Sequence, residues 1–185
     1  FADLELLPSN PDIVYAAAWK GQRKPWTIIS GGTNDEGGIY KSINGGKDWT
    51  KLENGLPKNL IGKIDLAVSS VDSSILYAVI EAPGDEGGLY KSVNQGKSFV
   101  QVSNNRGLVN RPFYYTNIEL DPTDPNIIYS NANPLLKSMD GGKSWRRMSV
   151  PHGDNHEMMV AQMLLITEEK RGQHNLINLQ QNCTK

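Results

Sequence analysis

Two histidines and a carboxylate fall within five residues at His152-Gly153-Asp154-Asn155-His156. Imidazoles and a carboxylate so close together can ligate a metal or move protons near neutral pH. His152, Asp154 and His156 are therefore the metal-ligand candidates of this chain, although no third or fourth distant ligand is assignable. The same residues also suit a polar turn whose side chains hold neighbouring loops. A second group, Trp19-Lys20-Gly21-Gln22-Arg23-Lys24-Pro25-Trp26, puts two indoles among cations. Trp19 and Trp26 could form a platform for a sugar or a peptide, because apolar faces stack on such rings and cations approach them. They equally suit a long loop tucked over its neighbours. Arg111-Pro112-Phe113-Tyr114-Tyr115 is the third group. In a strand Tyr114 and Tyr115 face opposite sides, so one of them is core, while Tyr115 and Glu119 share a face. Arg111 and Tyr115 complete the ligand-binding candidates. No group assembles a nucleophile, a base and a charge stabiliser, so no catalytic residue is assigned.

The elements that must position these groups come from a repeat. Ser42-Ile43-Asn44-Gly45-Gly46-Lys47-Asp48-Trp49 is followed by Ser92-Val93-Asn94-Gln95-Gly96-Lys97-Ser98-Phe99 and by Ser138-Met139-Asp140-Gly141-Gly142-Lys143-Ser144-Trp145, at spacings of 50 and 46 residues. The pattern is Ser, any, Asn or Asp, any, Gly, Lys, any, aromatic. A fixed period of this size, with one supersecondary unit per repeat, points to a propeller or a solenoid.

Each box has a mechanical reading. Gly46, Gly96 and Gly142 permit the positive φ of a tight reversal. Asn44, Asn94 and Asp140 can hold that turn by bonding nearby backbone N–H groups, and Ser42, Ser92 and Ser138 can add a further bond. Trp49, Phe99 and Trp145 fold back as apolar plugs. An amide replaces the carboxylate in two boxes of three, which a turn tolerates and an acid–base catalyst does not.

Upstream of each box stands a turn-rich element that runs into β-branched residues and a tyrosine. These are Pro8-Ser9-Asn10-Pro11-Asp12-Ile13-Val14-Tyr15, Val71-Asp72-Ser73-Ser74-Ile75-Leu76-Tyr77 and Asp121-Pro122-Thr123-Asp124-Pro125-Asn126-Ile127-Ile128-Tyr129. Further strands are expected at 37–42, 87–92 and 134–138, after each aromatic as at 50–52 and 100–102, and at 63–68 and 114–120. About four short strands in about 50 residues, with no helical period, is the make-up of a propeller blade. The fold expected is thus all-β, with blades of four antiparallel strands.

Composition sets outer bounds. The chain has 185 residues, a formal net charge of −1 and a balance of Lys and Arg against Asp and Glu. No basic field advertises nucleic acid, and no run reaches the roughly 18 apolar residues of a membrane span. The single Cys183 excludes an internal disulfide. Phe1-Ala2-Asp3-Leu4-Glu5 lacks the basic start and apolar stretch of a signal peptide, and we read it as the start of an internal piece or mature product.

The boxes resemble Asp-boxes, the bacterial neuraminidase repeats of sialidases, xyloglucan hydrolases and sortilin-type domains, all β-propellers. Tyr15-Ala16-Ala17-Ala18-Trp19, Gly87-Gly88-Leu89-Tyr90-Lys91-Ser92 and His152-Gly153-Asp154-Asn155-His156 are most similar to phrases of sortilin-like bacterial propeller proteins. The resemblance covers about residues 1–156, read as three blades. It implies an exported protein, secreted, periplasmic or at the cell surface, without a cofactor. A sialidase would supply an arginine cluster and a Tyr–Glu pair. Tyr115 and Glu119 have the spacing, but no arginine cluster matches. A xyloglucan-type hydrolase needs two catalytic carboxylates on different blades. Asp65 and Asp154 are nameable, though no spacing selects them.

Residues 157–185 break the pattern, with no box and a helix-like run from Met158 to Leu165. A shifted reading of the codons that could encode 157–173 permits a fourth box, so this tail is read as an out-of-frame remnant of a fourth blade, against a genuine terminal helix. Three blades do not close a ring, so further blades or chains are expected to cover the open sheet edges. The function expected is a non-catalytic module that binds or scaffolds a protein or glycan. The alternative is a fragment of a glycoside hydrolase. Paired Asp or Glu on the channel side would favour the hydrolase, and neutral polar and aromatic groups would favour binding.

Overall fold

The computed structural model describes residues 2–21, 30–31, 37–113, 116–149 and 160. Trp26, Tyr114, Tyr115, His152, Asp154, His156 and the tail apart from Val160 lie outside the described residues. Among the described residues twelve strands form three four-stranded antiparallel sheets. The first sheet is β1 (Asp3–Leu6), β2 (Val14–Ala18), β3 (Gly38–Ser42) and β4 (Thr50–Leu52), paired in that order. The second is β5 (Ile64–Val68), β6 (Leu76–Ile80), β7 (Gly88–Ser92) and β8 (Val100–Ser103), and the third β9 (Ile118–Leu120), β10 (Ile128–Ser130), β11 (Leu136–Ser138) and β12 (Arg146–Arg147). Helix among the described residues is confined to short 3-10 turns at Gly84–Glu86 and Arg106–Val109.

Each sheet is a meander in which neighbouring strands are joined in sequence order, and β5 lies between β1 and β9, in contact with both. These three are the axial strands. Alternation sends one side of each sheet into the core before it and the other into the core after it. Tyr15, Ala17 and Ile39 of the first sheet meet Leu76, Ala78, Ile80 and Tyr90 of the second. Tyr77, Val79 and Leu89, on the opposite side of the second sheet, meet Ile118, Ile128 and Leu136 of the third.

The boxes form the turns between the third and fourth strands. In all three the serine Oγ accepts the backbone N–H of the glycine at 2.9 Å: Gly46 to Ser42, Gly96 to Ser92 and Gly142 to Ser138. The Asn or Asp oxygen accepts the backbone N–H four residues on, again at 2.9 Å, from Asp48, Ser98 and Ser144. Asn44 and Asn94 use their amide N–H on Asp48 and Ser98, whereas Asp140 accepts from the Ser144 hydroxyl instead. That hydroxyl bond, the Ser144 N–H and the Ser138 hydroxyl hold the Asp140 carboxyl down at about 2. Gly96 has φ of 82°, and a Cβ there would sit 2.8 Å from Leu52 Cδ1, so both backbone and space demand glycine.

The three aromatics are not equivalent. Phe99 is 4% exposed in the core between the first and second sheets. Trp145 packs against the edge of the next core, and Trp49 is half-buried with its indole N–H bonded to Gly46 O at 2.9 Å. Trp49 belongs to the sheet that has no described sheet before it.

Sheets are also tied across their boundaries by polar bonds that recur. At one fixed offset before Tyr15, Tyr77 and Tyr129 stand Asp3, Asp65 and Asn117. Asp3 Oδ2 accepts the backbone N–H of Leu66 at 2.8 Å, and Asp65 Oδ2 accepts that of Ile118 at 2.8 Å. Leu66 and Ile118 hold the same place in β5 and β9. Each tyrosine also stands directly across from a lysine: Tyr15 from Lys41, Tyr77 from Lys91 and Tyr129 from Lys137. The ammonium lies 5.3, 5.1 and 4.6 Å from the ring centre. In the first sheet both groups donate to Gln95 O in the next box, Tyr15 OH at 3.2 Å and Lys41 Nζ at 3.0 Å. Gly141, the matching residue of the third box, lies against Tyr77 and Lys91. Leu4, at the place matching Leu66 and Ile118, is 57% exposed where they are 1% and 2%.

Two stability outcomes follow. Phe99→Ala should cost about 3–5 kcal/mol and Trp49→Ala clearly less, read by denaturant unfolding; equal losses would mean the boxes plug equivalent cores. Asp65→Ala should cost about 1–3 kcal/mol at pH 6 by stranding the Ile118 N–H, and Asp65→Asn much less, since Asn117 already occupies the corresponding place.

Candidate binding site at the axial strands

The segments that lead into the axial strands and those that leave the second strands meet at one end of the sheets, because the two strands are antiparallel. Trp19 follows β2, Glu81 follows β6 and Asn131 follows β10, while Lys63 precedes β5, and Thr116 and Asn117 precede β9. Residues that are far apart in sequence therefore share one mouth.

Trp19 is placed there by three contacts. Its indole N–H donates to Ser30 O, its ring meets Phe113 edge to face with centroids 5.2 Å apart, and Gly21 lies close over the ring. The structure thus brings together two of the groups singled out by composition, the Trp19 segment and Arg111-Pro112-Phe113. Ser30 is in turn fixed to the second sheet, its N–H donating to Glu81 Oε1 at 2.9 Å and its hydroxyl to Glu81 Oε2. Glu81 also accepts the Lys63 N–H at 3.0 Å, so its buried carboxylate is fully engaged in holding loops. Arg111 is exposed in the turn before β9, with φ of 55°.

Below this mouth the axial strands carry carboxylates. Asp3 and Glu5 come from β1, Asp65 from β5 and Glu119 from β9, and all four wall one cavity of about 140 Å³ with Asn117 and Asn131. Strand alternation explains the grouping, since Asp3 and Glu5 are two apart and share a face. Lys63 lies at the edge and donates to Asn117 Oδ1 at 2.8 Å. Burial raises Asp65 to about 8, helped by the charge of Asp3 and opposed by the Ile118 N–H and by Lys63. Burial likewise raises Glu5 to about 8, with Asp3, Glu119 and Asp65 adding to the push. Asp3 is raised by burial against two backbone N–H bonds, and Lys63 is lowered by burial. Protons on Glu5 and Asp65 at neutral pH are how the site tolerates so many acids together.

Composition did not single out Asp3, Glu5 or Asn131. The fixed offset from the repeat tyrosines would have found Asp3 and Asp65, whereas nothing local marks Asn131. Among the described residues no group of three or more His, Cys, Asp or Glu is arranged to hold a metal ion, and no helix is long and apolar enough to cross a membrane.

Because Glu5 and Asp65 titrate near 8 when folded and near 4 when unfolded, the folded chain binds more protons between those values. Their protonation favours the fold fully below about pH 4, and this contribution is lost as pH rises through about 8. The melting temperature should therefore fall from pH 5 to pH 9, by about 3 °C or more, and Asp65→Asn should flatten the decline. A stability that rises over this range in calorimetry would contradict the protonated cluster.

No family model matches the chain, and no curated protein matches it. Solved structures do. YCF48 bound to D1 peptide is similar with a TM-score of 0.54 and 13% identity, over 78% of this chain and 38% of that one. A GH74 xyloglucanase from Xanthomonas campestris gives a TM-score of 0.47 at 18% identity, over 78% of this chain and 20% of that one. An ancestral GH74 enzyme gives 0.49 at 17% identity, over 81% and 18%. This chain thus spans well under half the length of each of these proteins. At such identities the likeness concerns architecture alone, and the chain has an all-β propeller fold.

Proposed function

We propose that residues 1–156 are a propeller repeat module that binds a protein partner at the mouth of the axial strands, in an exported protein. The observation that carries this reading is the axial cavity, where carboxylates from three sheets converge beneath Trp19 and Ser30, themselves bonded to each other and held against Phe113 and Glu81. A polar, concave surface beside groups already in contact suits recognition, because those groups need no further ordering on binding. A protein ligand fits better than a glycan. Trp19 has its indole N–H bonded to Ser30 and its ring against Phe113 and Gly21, so it holds loops instead of offering an open face to a sugar. YCF48, on the same fold, holds the D1 peptide.

A second reading, hydrolysis of a glycan, is favoured by one observation. Glu5 and Asp65, raised by burial to about 8, offer the protonated carboxyl that glycoside hydrolysis requires of its general acid. Against it, Asp65 Oδ2 is occupied by the Ile118 N–H in a bond that Asp3 repeats one sheet earlier, which supports a structural role.

One panel separates them. Fluorescently labelled basic, neutral and acidic peptides and soluble xyloglucan are offered to the protein, with peptide binding read by anisotropy and glycan cleavage by reducing ends. Selective binding of basic peptides without cleavage is the expected result, with Trp19→Ala weakening it about tenfold by releasing the loops. Cleavage abolished by Glu119→Gln, with no peptide bound, would replace this reading with the second.

A further inference from the structure

Asn131 immediately follows β10 and is 1% exposed, yet neither its Oδ1 nor its Nδ2 has a hydrogen-bond partner. Its backbone is well held, with the N–H donating to Asn117 O at 2.7 Å and the carbonyl accepting from Thr116 N at 3.3 Å. A main chain so fixed keeps a polar side chain on the wall of the cavity, where it stays unsatisfied. Buried amides are almost always paired, so this one asks for a partner.

We propose that the axial cavity binds a primary alkylammonium, the head of a lysine side chain carried by the protein partner. This rests on the reading that the mouth binds protein, and it names what that partner inserts. The charge balance supports it. Asp3 and Glu5 face the cavity from β1, Asp65 from β5 and Glu119 from β9, with the Lys63 charge close enough to interact with Asp65 and Asp3. Lys63 is directed to Asn117 Oδ1. An ammonium brings three donors and no acceptor, which is what the Asn131 Oδ1 and the carboxylate oxygens around it call for. A compact alkylammonium head suits a cavity of about 140 Å³ walled by carboxyl and amide groups. The carboxylates are spread over three strands without metal-ligand geometry among the described residues, which suits a donor that reaches them by hydrogen bonds.

Protons link the two states. In the empty cavity Glu5 and Asp65 retain their protons, because burial disfavours adjacent negative charges. An arriving ammonium takes over that neutralising role, the carboxyl protons leave to buffer, and Asn131 Nδ2 gains ionised oxygens to donate to. Binding is thus coupled to proton release near pH 7 and strengthens as pH rises towards 8.

The test uses n-butylammonium and a pair of short peptides that differ only by lysine or norleucine. Butylammonium should shift the amide signals of Leu66, Ile118 and Asn131 in NMR titrations. Calorimetry at pH 7 should show proton release through its dependence on buffer ionisation heat. The lysine peptide should bind at least tenfold more tightly than the norleucine peptide, and Glu5→Gln combined with Glu119→Gln should remove that difference in a protein that still unfolds cooperatively. Absence of any butylammonium shift overturns the proposal, as does an unaltered affinity for it in Asn131→Leu. If both peptides bind equally, the lysine assignment falls while protein binding stands. If butylammonium binds and no peptide does, the cation site stands while the protein reading falls.

Discussion

An axial strand is the edge of its own sheet, and its outward backbone N–H groups have no strand to pair with. Burying that edge against the next sheet without an acceptor would leave stranded donors, which folded proteins avoid. Asp3 and Asp65 answer this at successive junctions, each accepting an N–H from the following axial strand, and Glu5 takes that of Val68 at the first. Everything else at a junction follows from the alignment so imposed. Tyr15 and Lys41 then stand opposite the turn of the next box and converge on the Gln95 carbonyl, while Ile39, Leu76 and their neighbours close the apolar layer between.

The same solution creates the chemistry at the axis. Each sheet contributes an acceptor near one line, and β1 and β9 add Glu5 and Glu119 at matching places. Carboxylates introduced to satisfy main chain are thereby gathered into one small volume, where burial makes full ionisation costly. The site is a by-product of stitching sheets together, and its affinity for protons or for a larger cation has the same electrostatic origin. Asn117 stands at the third place, where its amide oxygen accepts from the Lys63 ammonium.

Much of the fold was legible in the boxes. Their glycines, serines and Asn or Asp residues make bonds within eight residues, and such local physics is written locally. Strands at Gly38–Ser42, Thr50–Leu52, Gly88–Ser92 and Ile64–Val68 fall within a residue of expectation for the same reason. The first strand, Asp3–Leu6, was not marked, because four residues with exposed leucines carry little pattern. The candidate site was less visible still. Trp19 looked like a platform by composition, and only the fold reveals Ser30, Gly21 and Phe113 around it. Nothing in the sequence marked Glu5 or Asn131, and their significance arises from strands that approach across more than a hundred positions. His152, Asp154 and His156 lie outside the described residues.

The receiving half of each axial stitch is main chain: Leu66 and Ile118 offer an N–H that any residue except proline could offer. A junction built this way places no demand on the side chain of its receiver, and a single small acceptor satisfies its giver. A repeat can then be duplicated, and its copies can drift almost freely, without relearning how to join their neighbours. Pairwise identity would fade long before the architecture did. Such a unit is suited to inheritance as a part, joined by geometry and recognised more readily by shape than by letters.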